Sequence, residues 1–281
     1  MAHDEEMGVV DSHFEAIRKS QTAESVVLPR AVFEKLYLNP RTTGNPLQKK
    51  VGNPTPIALI GFLVASMPFG MISMGWRGAG GSGGAILPVF IWFGGVVQIL
   101  AAIGEWLIGN TFACALFMTY GSFWLATGTG LMPSFATGRL YSETGNLVEG
   151  TKQPAFYATT AYYYLILGIV TVVYTICALR TNIVLFSALF LLVITFGLVT
   201  GAYFQDALGN AALGHTLHVA SGALIFVICL LVGYLFVVQM LEGVDFPITL
   251  PVGDLSTVIP GKSQRMRKRQ EAMTNGHDDD E

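Results

Sequence analysis

Six long apolar stretches dominate the chain, at residues 57–76, 85–108, 111–132, 156–179, 183–204 and 216–239. Each is near the ~20 residues that a helix needs to cross a hydrocarbon core. In lipid only helices or closed barrels satisfy the backbone, and runs this long and continuously apolar predict helices. Breaker or charge signals separate them: the glycine run at 78–84, Gly109-Asn110, the long 133–154 connection, Arg180 to Asn182, and 205–215. Residues 1–52 are polar and mixed in charge, with Pro29, Pro40 and Pro46 and no sustained helical stripe, which predicts a disordered arm. The expected architecture is all-α and membrane-integral, with six transmembrane helices at 53–253 and a basic, then acidic, tail at 254–281.

Composition sharpens this picture. The chain is 52% apolar and only 12% charged, about half the usual charged share, so most of it has no water-facing surface to furnish. Within the six predicted spans Glu105 is the single acidic residue, and Lys and Arg are absent. Thirteen of the 16 Lys and Arg fall in the arm, at Arg180 and in the tail, whereas Arg77, Arg139 and Lys152 fall on the opposite side. The positive-inside rule therefore predicts that both ends are cytoplasmic. The basic cluster at 265–269 suits either anionic inner-leaflet lipid or a solvated topology signal. The acidic end at 278–281 suggests solubility alone. No apolar signal-peptide core precedes the first span, which is expected to act as its own membrane signal. Cys114, Cys177 and Cys229 lie in apolar runs without paired spacing and are expected to be buried packing residues.

Candidate chemistry concentrates at the first two spans. Asn53-Pro54-Thr55-Pro56 precedes the first, and its two prolines predict an extended entry that turns helical after Pro56. Free amides at that helix start suit a carboxylate, although an ordinary proline-led start has the same pattern. Gln98 and Glu105 lie two turns apart on one helical face and predict an inward polar stripe. A buried carboxyl there could exchange protons, as transport of a weak acid requires, or could bond helix-end groups at the membrane boundary. His215 and His218 open the last span as expected interfacial hydrogen bonders, and Tyr162-Tyr163-Tyr164 reads as a headgroup-level belt. Gly94-Gly95 with Ala101, Ala102 and Gly104 predicts close helix approach. Paired carboxylates, a metal cluster or a nucleophile with its base are absent from the spans, which speaks against an enzyme; no cofactor and no nucleic-acid partner is indicated.

Taken together, Asn53-Pro54-Thr55-Pro56, Gly94-Gly95-Val96-Val97-Gln98, Glu105 with Asn110-Thr111-Phe112, and Tyr120-Gly121-Ser122-Phe123-Trp124 resemble the acetate uptake transporter family. That family includes bacterial succinate–acetate permeases and fungal acetate and ammonia-export-associated proteins, and the resemblance spans roughly residues 53–253. It implies a six-helix protomer with its own pore, assembled as a homo-oligomer that is hexameric in bacterial relatives. It also implies a narrow step formed by Phe62, Tyr120 and, in a more generic apolar setting, Leu192. Thr55, Ile57 and Ala58 depart from the family's usual Asn-Pro-Ala-Pro-Leu-Gly-Leu, altering the entry's polarity.

The resulting expectation is a plasma-membrane transporter or channel for acetate and other short monocarboxylic acids, with proton movement. In this reading Asn53, Pro54, Thr55 and Pro56 shape the entrance, Gln98 and Glu105 supply polar groups, and Phe62, Tyr120 and Leu192 form the step. Phe62 lies about 9 Å and Tyr120 about 13–14 Å along their helices, depths that permit contact. The alternatives are a membrane sensor of acetate and an ammonium or ammonia exporter. The charge pattern makes a direct topology prediction. Tags at either end should be reached by antibody only after permeabilisation, and a tag between Ser142 and Lys152 should be reached on intact cells. An intact-cell signal from the N-terminal tag would reverse the orientation.

Overall fold

The computed structural model describes residues 51–255 together with Val258, Gly261, Arg265 and Met266. The expected arm up to residue 50, the remainder of the basic cluster and the acidic end lie outside the described residues. Six long helices form the fold, with no strand among the described residues. They are α1 (Thr55–Ser73), α2 (87–107), α3 (Thr111–Gly130), α4 (Pro154–Ala178), α5 (Ile183–Ala207) and α6 (Ala211–Gly243). Five of these, with α2 counted from Gly81, are long and apolar enough to cross a membrane. The 20-residue α3 is long enough but more polar, carrying Thr119, Ser122, Thr127 and Thr129.

Local chemistry sets the helix ends. α1 starts at Thr55, earlier than expected, because Asn53 Oδ1 accepts from the Thr55 amide and closes a turn, while Pro54 O accepts from Ile57 and Ala58. Pro54 is therefore already in helical geometry, correcting the expected extended entry. α5 continues to Ala207 and α6 begins at Ala211, so the presumed 205–215 loop is mostly helix. Asp206, His215 and His218 are thus helical residues, and Glu105 is not the only acid within the long helices.

α2 is not uniform. Residues Phe90–Val97 form a π-helical stretch between α-helical segments. Such widened turns arise where packing outweighs regular geometry, often at functional sites. Within it Gly94 is tightly packed: a Cβ at that position would lie 2.5 Å from Trp124 Cγ of α3 and 2.9 Å from Ala65 Cβ of α1. Only glycine lets the three helices meet so closely.

The described ends of the chain meet at one face of the bundle, the terminal face. Asn53 Nδ2 donates to Gln239 Oε1 near the end of α6 (3.3 Å). The Ile183 amide donates to Gly253 O (2.8 Å) and the Leu255 amide to Thr181 O (3.0 Å), tying the segment after α6 to the α4–α5 turn. At the opposite face the 131–153 connection carries Glu149, whose carboxylate accepts from Ser142 and Thr144; these bonds hold its carboxyl below the usual range.

Two of the expected packing roles change. Cys177 is exposed on α4, whereas Cys229 is buried. Tyr162 and Tyr163 are exposed as a belt requires, but Tyr164 turns inward and stacks on Tyr203 at 5.3 Å.

The three-helix units α1–α3 and α4–α6 repeat each other at an offset of one hundred positions. Asn53-Pro54 answers to Gln153-Pro154, Ala102 to Ala202, Glu105 to Gln205, and Gly109-Asn110 to Gly209-Asn210. The corners match in geometry too. Gly109 and Gly209 take φ +82° and +79°, where a side chain would be strained. The Asn110 and Asn210 amides donate to the backbone carbonyls of Glu105 and Gln205. Their side-chain Nδ2 atoms donate to the Glu105 and Gln205 side chains at 2.8 and 3.2 Å, and their Oδ1 atoms cap the following helix. Three helices per unit place the two corners at opposite faces, so the repeat is inverted. The corners differ in burial: Asn110 is buried and Asn210 exposed.

Replacing either cap by alanine should cost about 1 kcal/mol of helix stability. Asn110→Ala should cost about 1–3 kcal/mol more, because it also strips a hydrogen bond from a buried carboxyl. Thermal unfolding in detergent should therefore place Asn110→Ala well below Asn210→Ala; equal loss would show that the burial difference has no energetic weight.

Candidate functional site

The predicted site residues separate into two groups. The first lies at the terminal face around Glu105, which is fully buried. Thr55 Oγ1 donates to Glu105 Oε1, and Asn110 Nδ2 donates to Glu105 Oε2 at 2.8 Å. A carboxyl oxygen left unpaired in apolar surroundings would be costly, and these two bonds supply both oxygens with a donor. Thr55 is held there because it opens α1; Pro54 presses on Gly104, where an added Cβ would lie 2.8 Å from Pro54 Cβ. Asn53, Pro54, Thr55 and Glu105 therefore form one knot joining α1, α2 and α3, with α6 reached through Asn53 and Gln239.

Gln98 does not join that knot. Its Nε2 donates to Gly94 O at 2.7 Å, and its stem sits between Gly61 of α1 and Gly121 of α3. It braces the helix crossing beside the π-helical stretch. The inward polar stripe exists, since Gln98 and Glu105 are both buried, but the two residues serve separate contacts.

The second group lines a cavity of about 80 Å³ in the bundle interior. Phe62 of α1, Tyr120 of α3 and Leu192 of α5 all border it, while Gln98, Glu105 and the Asn53–Pro56 segment do not. One face of α1 lines it at Phe62, Ser66, Phe69 and Ser73, a four-three-four spacing that brings successive residues onto one helical stripe. Tyr120 is fixed in place. Its hydroxyl lies 3.0 Å from Thr171 Oγ1, whose single proton goes to Leu167 O at 2.7 Å, so Tyr120 is the donor. The walls are mainly aromatic and aliphatic, a surface that favours neutral or weakly polar solutes over bare ions.

Toward the opposite face the cavity meets polar groups; His218, expected only as an interfacial hydrogen bonder, borders it and pairs with Asp206, which lay in the expected loop. His218 Nε2 lies 3.1 Å from Asp206 Oδ2, and the Tyr203 ring packs edge-on against the imidazole at 5.1 Å. His218, Ser73, Tyr203 and Ser221 all border the cavity. A spacing signal for this pair was available: Asp206 and His218 flank Gly209-Asn210, the copy of the Gly109-Asn110 corner beside Glu105. Among the described residues, His, Cys, Asp and Glu form no cluster able to hold a metal ion.

A family described as the GPR1/FUN34/yaaH family matches residues 35–257. Protein alcS of Aspergillus fumigatus is 42% identical over 234 residues, 83% of this chain and 86% of the relative. The acetate transporter protein patA of Aspergillus clavatus is 30% identical, over 73% of this chain and 79% of the relative. The solved structure of the bacterial acetate channel SatP resembles the chain with a TM-score of 0.57 at 26% identity, covering 72% of this chain and 99% of that one.

The position of Glu105 makes a distinct prediction. Gln205 occupies the equivalent place in the other corner, where its Oε1 accepts from Asn210; a Gln at 105 can likewise accept from Asn110 through Oε1 while its Nε2 donates to the Thr55 hydroxyl. Glu105→Gln should therefore fold and unfold close to wild type, within about 1 kcal/mol. The pH profile of substrate uptake then decides its role. An unchanged profile assigns Glu105 to the knot, and a flattened one assigns it to proton exchange.

Proposed function

This chain belongs to the GPR1/FUN34/yaaH family, and we propose that it is a plasma-membrane transporter or channel for acetate and other short monocarboxylates. In this reading all six helices span the bilayer, both ends are cytoplasmic, and the cavity inside the protomer is the substrate path. The observation that carries it is the convergence of Phe62, Tyr120 and Leu192, from three different helices, on one small, mainly apolar cavity. The names of the patA and SatP relatives support acetate as the substrate. The exposed apolar faces of α2 and α4, with Trp92, Trp106, Ile166 and Ile176, suit lipid and further copies in a homo-oligomer.

Proton linkage follows from the walls. At a hydrophobic step the protonated acid sheds far less hydration than its anion, so a proton accompanies each acid that crosses. In this reading the knot at the terminal face holds α1 in register at the cytoplasmic end, while His218 and Asp206 stand toward the outer side.

Purified protein in liposomes should accumulate radiolabelled acetate, faster at acidic than at neutral external pH. A membrane sensor would bind acetate without accumulating it. An ammonia transport outward protein of Saccharomyces cerevisiae is also similar, at 28% identity over 65% of this chain, so methylammonium flux in the same vesicles tests that substrate. Phe62→Ala and Tyr120→Ala should each widen the step and raise lactate or succinate entry relative to acetate by about tenfold or more. The double variant should add little to either single one. If both variants insert normally and still reject every acid larger than acetate, selectivity lies elsewhere along the path.

A further inference from the structure

Two residues that border the cavity each carry a buried polar group with no hydrogen-bond partner, the Ser66 hydroxyl and the Trp124 indole N–H. Both residues are deeply buried, at 1% and 3% exposure. The isolation of Ser66 is unusual for its setting. Other hydroxyls bordering the same cavity bond back to their own helices, Ser73 to Phe69 O, Thr195 to Leu191 O and Ser221 to His218 O. Ser66 leaves the equivalent carbonyl alone. Both residues border the one cavity, and Trp124 meets the helix of Ser66 at Ala65, the residue before it, over Gly94.

We propose that Ser66 and Trp124 form the carboxyl-binding pair of the cavity. This assignment rests on the reading of the cavity as a monocarboxylate path. An indole N–H can only donate, so its partner must be an acceptor, whereas a hydroxyl can donate or accept. A carboxylate accepts from both. A protonated acid accepts from Trp124 through its carbonyl oxygen and donates its own O–H to Ser66. The pair therefore serves a weak acid in either protonation state, without a fixed positive charge that would trap the anion. An ammonium ion, which has no lone pair to offer, leaves the Trp124 N–H unsatisfied. Phe69 and Phe123, whose rings lie 5.7 and 5.2 Å from that of Trp124, supply apolar surface for the acid's short alkyl group. Trp124 is held rigidly for this role by stacking on Phe90 at 4.9 Å.

The test uses full-length protein in lipid nanodiscs and liposomes. Trp76, Trp92 and Trp106 are exposed, so Trp124 is the one buried indole of the four. Sodium acetate, against sodium chloride at equal ionic strength, should change the tryptophan fluorescence of wild type, and Trp124→Phe should abolish that change. In uptake assays Ser66→Ala and Trp124→Phe should each raise the half-saturating acetate concentration about tenfold, with the maximal rate largely kept. Ser66→Thr, which retains the hydroxyl, should restore the wild-type value. If wild type takes up acetate but Ser66→Ala and Trp124→Phe match it in half-saturation, water satisfies the two groups and the assignment is overturned. A wild type that neither binds nor accumulates acetate would instead remove the transport reading itself. Should Trp124→Phe fail to fold, the contrast between Ser66→Ala and Ser66→Thr decides the question alone.

Discussion

In an apolar solvent every polar group that finds no partner raises the energy of the fold, and this constraint orders the whole molecule. It explains why Thr119, Thr127, Thr171 and Thr175 turn their hydroxyls back onto carbonyls one turn earlier. It explains the two asparagine corners, where one side chain caps the next helix and also grips the residue that ends the last. It accounts for Glu105 as well: the acid is tolerated in the interior because Thr55 and Asn110 together engage both of its oxygens. Among the described residues five buried side-chain groups lack a partner, on Ser66, Trp124, Asn182, Thr200 and Gln239, and of these residues Ser66 and Trp124 border the cavity.

Much of the fold was legible in the sequence, since long apolar runs in a charge-poor chain admit few structures. Glycine and asparagine punctuation placed the α2–α3 turn well. The α5–α6 turn was placed too broadly because Gln205, Asp206 and Asn210 look like loop residues, while the helices run through most of them. Which face of each helix turns inward was harder to read. Lipid and cavity are both apolar, so α1 and α5 show little contrast around their circumference. Phe62, Tyr120 and Leu192 came from family resemblance, and periodicity alone would not have singled them out. The π-helical stretch was invisible because local propensity does not signal it, and the close contact within it, Gly94 against Trp124, joins helices distant in sequence.

The inverted repeat relates the two faces of the bundle and shows how they diverged. At the terminal face the corner carries a carboxylate, buried and tied to α1 by a threonine. In the other unit an amide occupies the matching place, and Ala155 replaces the threonine, so Gln205 binds its asparagine alone. The polar work at that face passes instead to Asp206, the residue after Gln205, and His218, eight residues past Asn210. A shared scaffold thus carries an internal knot at one face and, toward the other, a pair whose histidine borders the cavity.

The repeat also matches in chain length where it does not match in shape. The glycine-rich segment after α1 folds as short 3-10 turns, whereas its copy after residue 173 continues α4 to Ala178 and begins α5 at Ile183. Five extra residues of α4 add about 7–8 Å of helix at the terminal face. That hairpin is a ledge, and the strand-like pairing of Asn182 with Asp254 fastens the segment after α6 onto it. The opposite face has no such shelf from α1 and α2. The molecule therefore offers a mechanical handle on one side only, where Gly253 to Leu255 fasten to the α4–α5 half of the bundle.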